Sequence, residues 1–148
     1  VVNRLEFFLP MIPPTCTYQE KQVRVVRGRP VFYDPPAVRE ARGKLLAHLA
    51  RFSPERPLAG PVELAAKWCF PLCGGHLNGD YRISRPDTDN LQKLLKDCMT
   101  AAGFWMDDAQ VASEVCEKFW AAVPGLYICA RELPVNARRN GEEADGVD

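Results

Sequence analysis

The stretch Arg85-Pro86-Asp87-Thr88-Asp89-Asn90-Leu91-Gln92-Lys93 decides the fold, because a polar segment gives way there to a periodic one. From it onward Leu91, Leu94, Leu95, Cys98, Met99 and Ala102 recur at i, i+3, i+4 and i+7. That spacing predicts an amphipathic helix from about Asp89 to Ala102, with Gly103 placed to stop it. Upstream, Val62 to Phe70 reads as a strand, and Pro71 to Arg85, rich in glycine and polar residues, reads as a loop. Downstream, Gly103-Phe104-Trp105-Met106-Asp107-Asp108 makes a short return. Val111 to Trp120 then alternates as a strand, with Val111, Val115 and Phe119 on one side. Leu126 to Glu132 gives a final strand.

Working back toward the start, Arg4 to Leu9 reads as a strand ended by Pro10 and Pro13-Pro14. Lys21 to Arg27 carries Val23, Val25 and Val26 and reads as a strand. Gly28 and Pro30 mark a turn, and Val31-Phe32-Tyr33 returns as the second half of a hairpin. Asp34 before Pro35-Pro36 suits a helix entrance, and Val38, Leu45, Leu46 and Leu49 keep helical intervals to about Arg51. Pro54, Pro57, Gly60 and Pro61 form a linker. The elements predict an α/β (α+β) chain, with two main helices packed on a small mixed β-sheet of four to six strands. One domain is expected over residues 1–134, with a polar, flexible tail over residues 135–148.

Length and composition fit that reading. At 148 residues and 47% hydrophobic, the chain can bury a core. No apolar run approaches the roughly 20 residues needed to cross a bilayer. Val1 to Pro10 lacks the zones of a signal peptide, so a cytoplasmic location is expected. Formal net charge is zero, yet basic residues outnumber acidic ones from Val1 to Arg51, and Glu132 to Asp148 leans acidic. A local basic surface is compatible with that balance. Six cysteines are present. In a cytosolic chain they are expected to be reduced and mostly packed. Cys69, Cys73 and His76 form an incomplete zinc pattern without a second ligand pair, so structural zinc is not expected.

Asp87, Asp89 and Asp108 could converge on a divalent cation, with Lys93 beside them. Phosphodiesters repel nucleophiles, and a divalent cation offsets that repulsion, activates water and stabilises the departing oxygen. Magnesium takes carboxylate oxygens and keeps several waters, so a few aspartates suffice. Lys93 lies one turn after Asp89, where it could meet a phosphate oxygen. Asp107 could be a further ligand or an outer support. Each piece also has an ordinary role. Asp87 or Asp89 can cap the helix, Asp107-Asp108 can be a turn, Lys93 can be a solvated charge, and Phe104 and Trp105 can be core.

The assembled pattern resembles the RusA family of Holliday junction resolvases, endodeoxyribonucleases first known from lambdoid prophages. The likeness is carried by Arg85 to Lys93, by Lys96-Asp97 and by Gly103 to Val111. Pro13-Pro14-Thr15, Tyr33 and Lys118 extend it, so that it spans roughly Leu5 to Glu132. It implies a homodimer that makes paired symmetric nicks in four-way DNA junctions with Mg²⁺ or Mn²⁺, in recombination and repair. By position it implies that Asp87, Asp89 and Asp108 are the essential acidic residues, Lys93 the catalytic lysine and Asp107 the neighbouring acid. The segment Thr15-Cys16-Thr17-Tyr18 departs from the family by lacking an asparagine. Pro86 departs by standing where a basic residue is known.

Phosphate contacts should supply most of the affinity for DNA. Lys21, Arg24, Arg27 and Arg29 are the densest basic group, Arg82 and Arg85 flank the acidic site, and Lys118 could share its face. The hairpin charges could equally be a solvated strand edge. Three other functions compete. Flaps or other branched DNA could be the substrate. Asp-x-Asp also marks phosphatases with an aspartate nucleophile, but there it follows a buried apolar strand, unlike Tyr81-Arg82-Ile83-Ser84-Arg85-Pro86. A non-catalytic DNA-binding or zinc-stabilised module would make the acidic cluster structural.

Overall fold

The computed structural model describes residues 3–17, 22–33 and 36–136. Its centre is the strand whose alternation is strictest. In β4 (Val62–Pro71), Val62, Leu64, Ala66, Trp68 and Phe70 are buried, while the residues between them face outward. β4 pairs in parallel with β5 (Val111–Ala121) and antiparallel with β6 (Gly125–Glu132). β6 in turn pairs antiparallel with β1 (Arg4–Leu9), giving the order β1-β6-β4-β5. The predicted hairpin, β2 (Gln22–Val26) and β3 (Arg29–Tyr33), forms a separate two-stranded sheet. Its two-residue turn has φ of 53° at Arg27 and 76° at Gly28, the paired positive values that match strand twist.

Two helices cover one face of the main sheet. Helix α1 (Pro36–Ala50) contributes Leu45 and Leu49, and α2 (Thr88–Ala101) contributes Leu91, Leu94, Leu95, Cys98 and Met99, all within one hydrophobic core. Each of those leucines contributes about 2 kcal/mol by leaving water. Among the described residues, six strands and two helices make an α+β fold, in agreement with the sequence reading.

Helix α2 is the crossover between the parallel strands β4 and β5, which keeps it close to the sheet. Its C-terminus stops by a Schellman arrangement. Gly103 N–H donates to Thr100 O at 3.1 Å and Phe104 N–H to Met99 O at 3.0 Å. Gly103 adopts φ 84°, a conformation in which a side chain would be strained. Strand β5 would be an open edge, but Trp120 N–H donates to Asp80 O at 2.8 Å and Arg82 N–H to Lys118 O at 3.0 Å. The loop after β4 thereby covers the edge.

One sequence inference needs refinement. Val111, Val115 and Phe119 do not share one side: a register irregularity at the start of β5 leaves Val111 packed against the core, whereas Val115 is exposed and Phe119 packs against Tyr81 at 4.8 Å. Glu114 and Cys116, which lie between them, contact α2. Of the predicted tail, residues 137–148 lie outside the described residues. Among the described residues no helix is long and apolar enough to cross a membrane.

Candidate active site

Asp87 occupies the N-cap of α2 in extended conformation, and its carboxylate does not make the capping hydrogen bond. Asp89 lies in the first helical turn, and Lys93 follows one turn later on the same face. Asp108 opens a short 3-10 turn (Asp108–Gln110) immediately before β5. Asp89, Lys93 and Asp108 line one open cleft of about 490 Å³, together with Thr88, Gln92, Lys96, Glu114 and Cys116. Residues from a helix start, a loop and a strand thus meet around one volume.

Asp108 is placed by its neighbours. The Asp107 carboxylate accepts from Ala109 N–H at 2.8 Å and caps the turn. The Gln110 side chain accepts from the N–H groups of Met106 and Asp107 at 3.0 and 3.2 Å. It also donates to Leu58 O and Gly60 O, both at 3.0 Å. Asp107 and Asp108 both border a neighbouring cleft lined by Arg42, Asp97 and Thr100. Asp107 is therefore engaged as a cap, the ordinary turn role that its sequence position also allowed.

Asp87 is not among the residues lining the larger cleft, although it is exposed two positions before Asp89. Among the described residues no three His, Cys, Asp or Glu side chains stand close enough to cage a metal ion. The donor set nevertheless fits a magnesium-type ion. Asp89 and Asp108 offer hard oxygens to an open, wet cleft, and such an ion keeps several of its waters. Lys93 is largely exposed and pairs with Asp97 at 3.8 Å. That long surface pair contributes little to stability.

The other sequence candidates are dispersed. Arg24, Arg27 and Arg29 are exposed on the hairpin, and Arg85 is exposed beside the helix entrance. Lys21 lies outside the described residues. Arg82 sits against the rings of Phe70 and Trp120, with its guanidinium carbon 4.1 and 4.6 Å from their centroids. It donates to Arg85 O. Burial lowers its pKa below the usual arginine value. Lys118 Nζ donates to Ser84 O at 2.8 Å and to Pro86 O at 2.7 Å. The zinc pattern is not gathered into a site: the His76 ring stacks on Trp120 at 4.4 Å, and Cys73 is exposed.

Sequence reasoning missed Glu114, Gln92, Lys96 and Cys116 as parts of the cleft. Glu114 accepts from Gln92 Nε2 at 3.3 Å and pairs with Lys96 at 3.3 Å. The signal was available, since alternation along β5 puts Glu114, Cys116 and Lys118 on one face. Burial, with a smaller contribution from Glu114, pushes the Cys116 thiol up to about 11. It is protonated at neutral pH, so it is not a ready nucleophile there.

Known proteins supply an independent finding. The family model described as Endodeoxyribonuclease RusA matches residues 11–130. The chain is 31% identical over 108 residues to a crossover junction endodeoxyribonuclease rusA of Lactococcus phage r1t, covering 72% of this chain and 79% of that relative. A block of 27 residues is 67% identical to crossover junction endodeoxyribonuclease RusA of Escherichia coli K12, covering 18% of this chain and 22% of the relative. The corresponding protein of Enterobacteria phage 82 matches to the same extent, 67% over 27 residues.

Proposed function

This chain belongs to the RusA family of endodeoxyribonucleases, and from that membership we propose that it resolves four-way DNA junctions by paired symmetric nicks. The observation that carries the reading is the meeting of Asp89, Lys93 and Asp108 around one open cleft. Asp89 and Asp108 would hold Mg²⁺, or Mn²⁺ in its place, with Asp87 closing on the ion from the N-cap. Bound there, the cation supplies charge neutralisation and activation of water.

The protein's own part is to bring a phosphate to that cleft and hold it. Lys93 neutralises a non-bridging phosphate oxygen, an interaction that strengthens as charge builds in the transition state. Lys96, held by Glu114, adds positive charge to the same wall. Hydrolysis joins a water oxygen to phosphorus and releases the 3′ oxygen, leaving ends that a ligase can rejoin. A homodimer would present two clefts to the two strands of a junction. Exposed Arg24, Arg27, Arg29 and Arg85, with Lys21, are the proposed phosphate track.

The test is nicking of a fixed four-way junction beside matched duplex, flap and single strand, with and without Mg²⁺. Junction-selective, Mg²⁺-dependent nicking is expected, and Asp89→Asn should abolish it while junction binding persists. Preference for flaps would reassign the substrate, and full activity of Asp89→Asn would remove the cleft from the chemistry.

A further inference from the structure

We infer that Lys118 and Arg82 are positioning residues for the active site, holding the chain that delivers Asp87, rather than contacts to DNA. The inference rests on the nuclease reading above and adds residues to its site. Three successive carbonyl oxygens, those of Ser84, Arg85 and Pro86, precede Asp87. Lys118 Nζ takes the first and third at 2.8 and 2.7 Å, and Arg82 takes the second. The two residues are also joined through their main chains, because the Arg82 backbone N–H donates to Lys118 O at 3.0 Å. A lysine ammonium has three donors, and two are committed here. The Arg82 guanidinium is likewise engaged by the rings of Phe70 and Trp120.

The arrangement matters because Asp87 has no anchor of its own. Its side chain makes no capping bond, so its direction follows from the backbone that enters the helix. Pro86 is buried, so its carbonyl oxygen depends on a protein donor, and Lys118 supplies one. The clamp ties that backbone to β5, the strand that also follows Asp108 and carries Glu114. One strand thereby fixes both acidic approaches to the cleft.

Lys118→Met keeps the aliphatic stem and removes the donors. Lys118→Arg keeps the charge and changes the donor geometry. In both, the nicking rate should fall roughly 10–100-fold, the scale of an ångström-sized misplacement. The Mg²⁺ concentration for half-maximal rate should rise, and Mn²⁺ affinity measured by electron paramagnetic resonance should weaken in step. Junction affinity without divalent cation, and its slope against salt, should remain wild type. Arg82→Met should follow the same pattern. A phosphate contact would behave otherwise, with the salt slope of Lys118→Met falling by about 1, Lys118→Arg near wild type and metal dependence unchanged. That outcome overturns the assignment, as does wild-type metal dependence in Arg82→Met for its own part. Should Lys118→Met fail to fold, Lys118→Arg decides. If the wild-type protein nicks no junction, the nuclease reading fails, and the clamp is judged by Mn²⁺ affinity alone.

Discussion

Among single residues, Asp107 and Gln110 separate architecture from chemistry. Asp107 caps the turn that presents Asp108, and asparagine caps a turn about as well as aspartate. Asp107→Asn should therefore keep most of the nicking rate, whereas Asp107→Ala should lose about 1 kcal/mol of stability in urea denaturation. A collapse of nicking in Asp107→Asn with unchanged stability would make Asp107 a ligand. Gln110 makes four hydrogen bonds to main-chain groups, at 3.0, 3.2, 3.0 and 3.0 Å. Gln110→Ala should cost about 1 kcal/mol, because one half-buried carbonyl and three exposed main-chain groups lose their partners. It should also slow nicking by loosening Asp108. The Asp-x-Asp motif and Lys93 were legible in the sequence because their spacing is local. Gln110 and Glu114 were not, since their importance comes from Leu58, Gly60, Gln92 and Lys96, which only folding brings near. Arg82 and Lys118 read as phosphate contacts in the sequence because charge is visible there, and the carbonyl oxygens that they meet in the fold are not.

Elements with local signals were legible almost to the residue. Helix α2 announces itself by a complete apolar stripe and by the glycine that ends it, and β1 by its flanking prolines. What the sequence could not supply was pairing, because a strand's pattern does not name its neighbour. The parallel pairing of β4 with β5 and the insertion of β6 between β1 and β4 are of this kind. The buried side of β5 was equally hidden, since an edge strand can carry valine outward. The start of β6 illustrates how tightly non-local pairing constrains a residue. A Cβ on Gly125 would lie 2.1 Å from Phe8 Cζ and 2.6 Å from Leu9 O, so both the ring and the β1 backbone would have to move. Gly125→Ala should cost about 1–3 kcal/mol, the range for an overpacked site, read as a lower denaturation midpoint. An unchanged midpoint would mean that β1 shifts freely along β6.

Over the whole molecule, neutrality conceals an organised division of charge. The two helices bury one face of the main sheet, and the other face joins its strands through ionic and polar pairs. Arg131 bonds Glu63 at 2.9 and 3.2 Å, linking β6 to β4, and Tyr127 O–H donates to Glu6 at 2.8 Å, linking β6 to β1. Glu132 accepts from Ala59 N–H at 2.9 Å and from Asn3 at 3.3 Å, tying the linker to the sheet. These partners hold the three carboxyl groups below the usual glutamate range: the Arg131 hydrogen bond for Glu63, the Tyr127 hydroxyl and then Arg4 for Glu6, and the Ala59 amide for Glu132. A carboxyl whose folded pKa is depressed stabilises the fold fully above its unfolded value, about 4.3 for glutamate. The contribution disappears as pH falls through the lower folded value. Thermal stability should therefore be level with respect to these groups from near pH 7 to about pH 5, and fall below about pH 4. Glu6 is exposed and Glu63 and Glu132 are only half-buried, which makes each contribution small and sensitive to salt. Glu132→Gln cannot ionise and should flatten the acid limb. Melting curves from pH 3 to 7 at low and high salt would check this. A midpoint that rises on acidification, or a Glu132→Gln limb as steep as wild type, would show that these pairs do not stabilise the sheet.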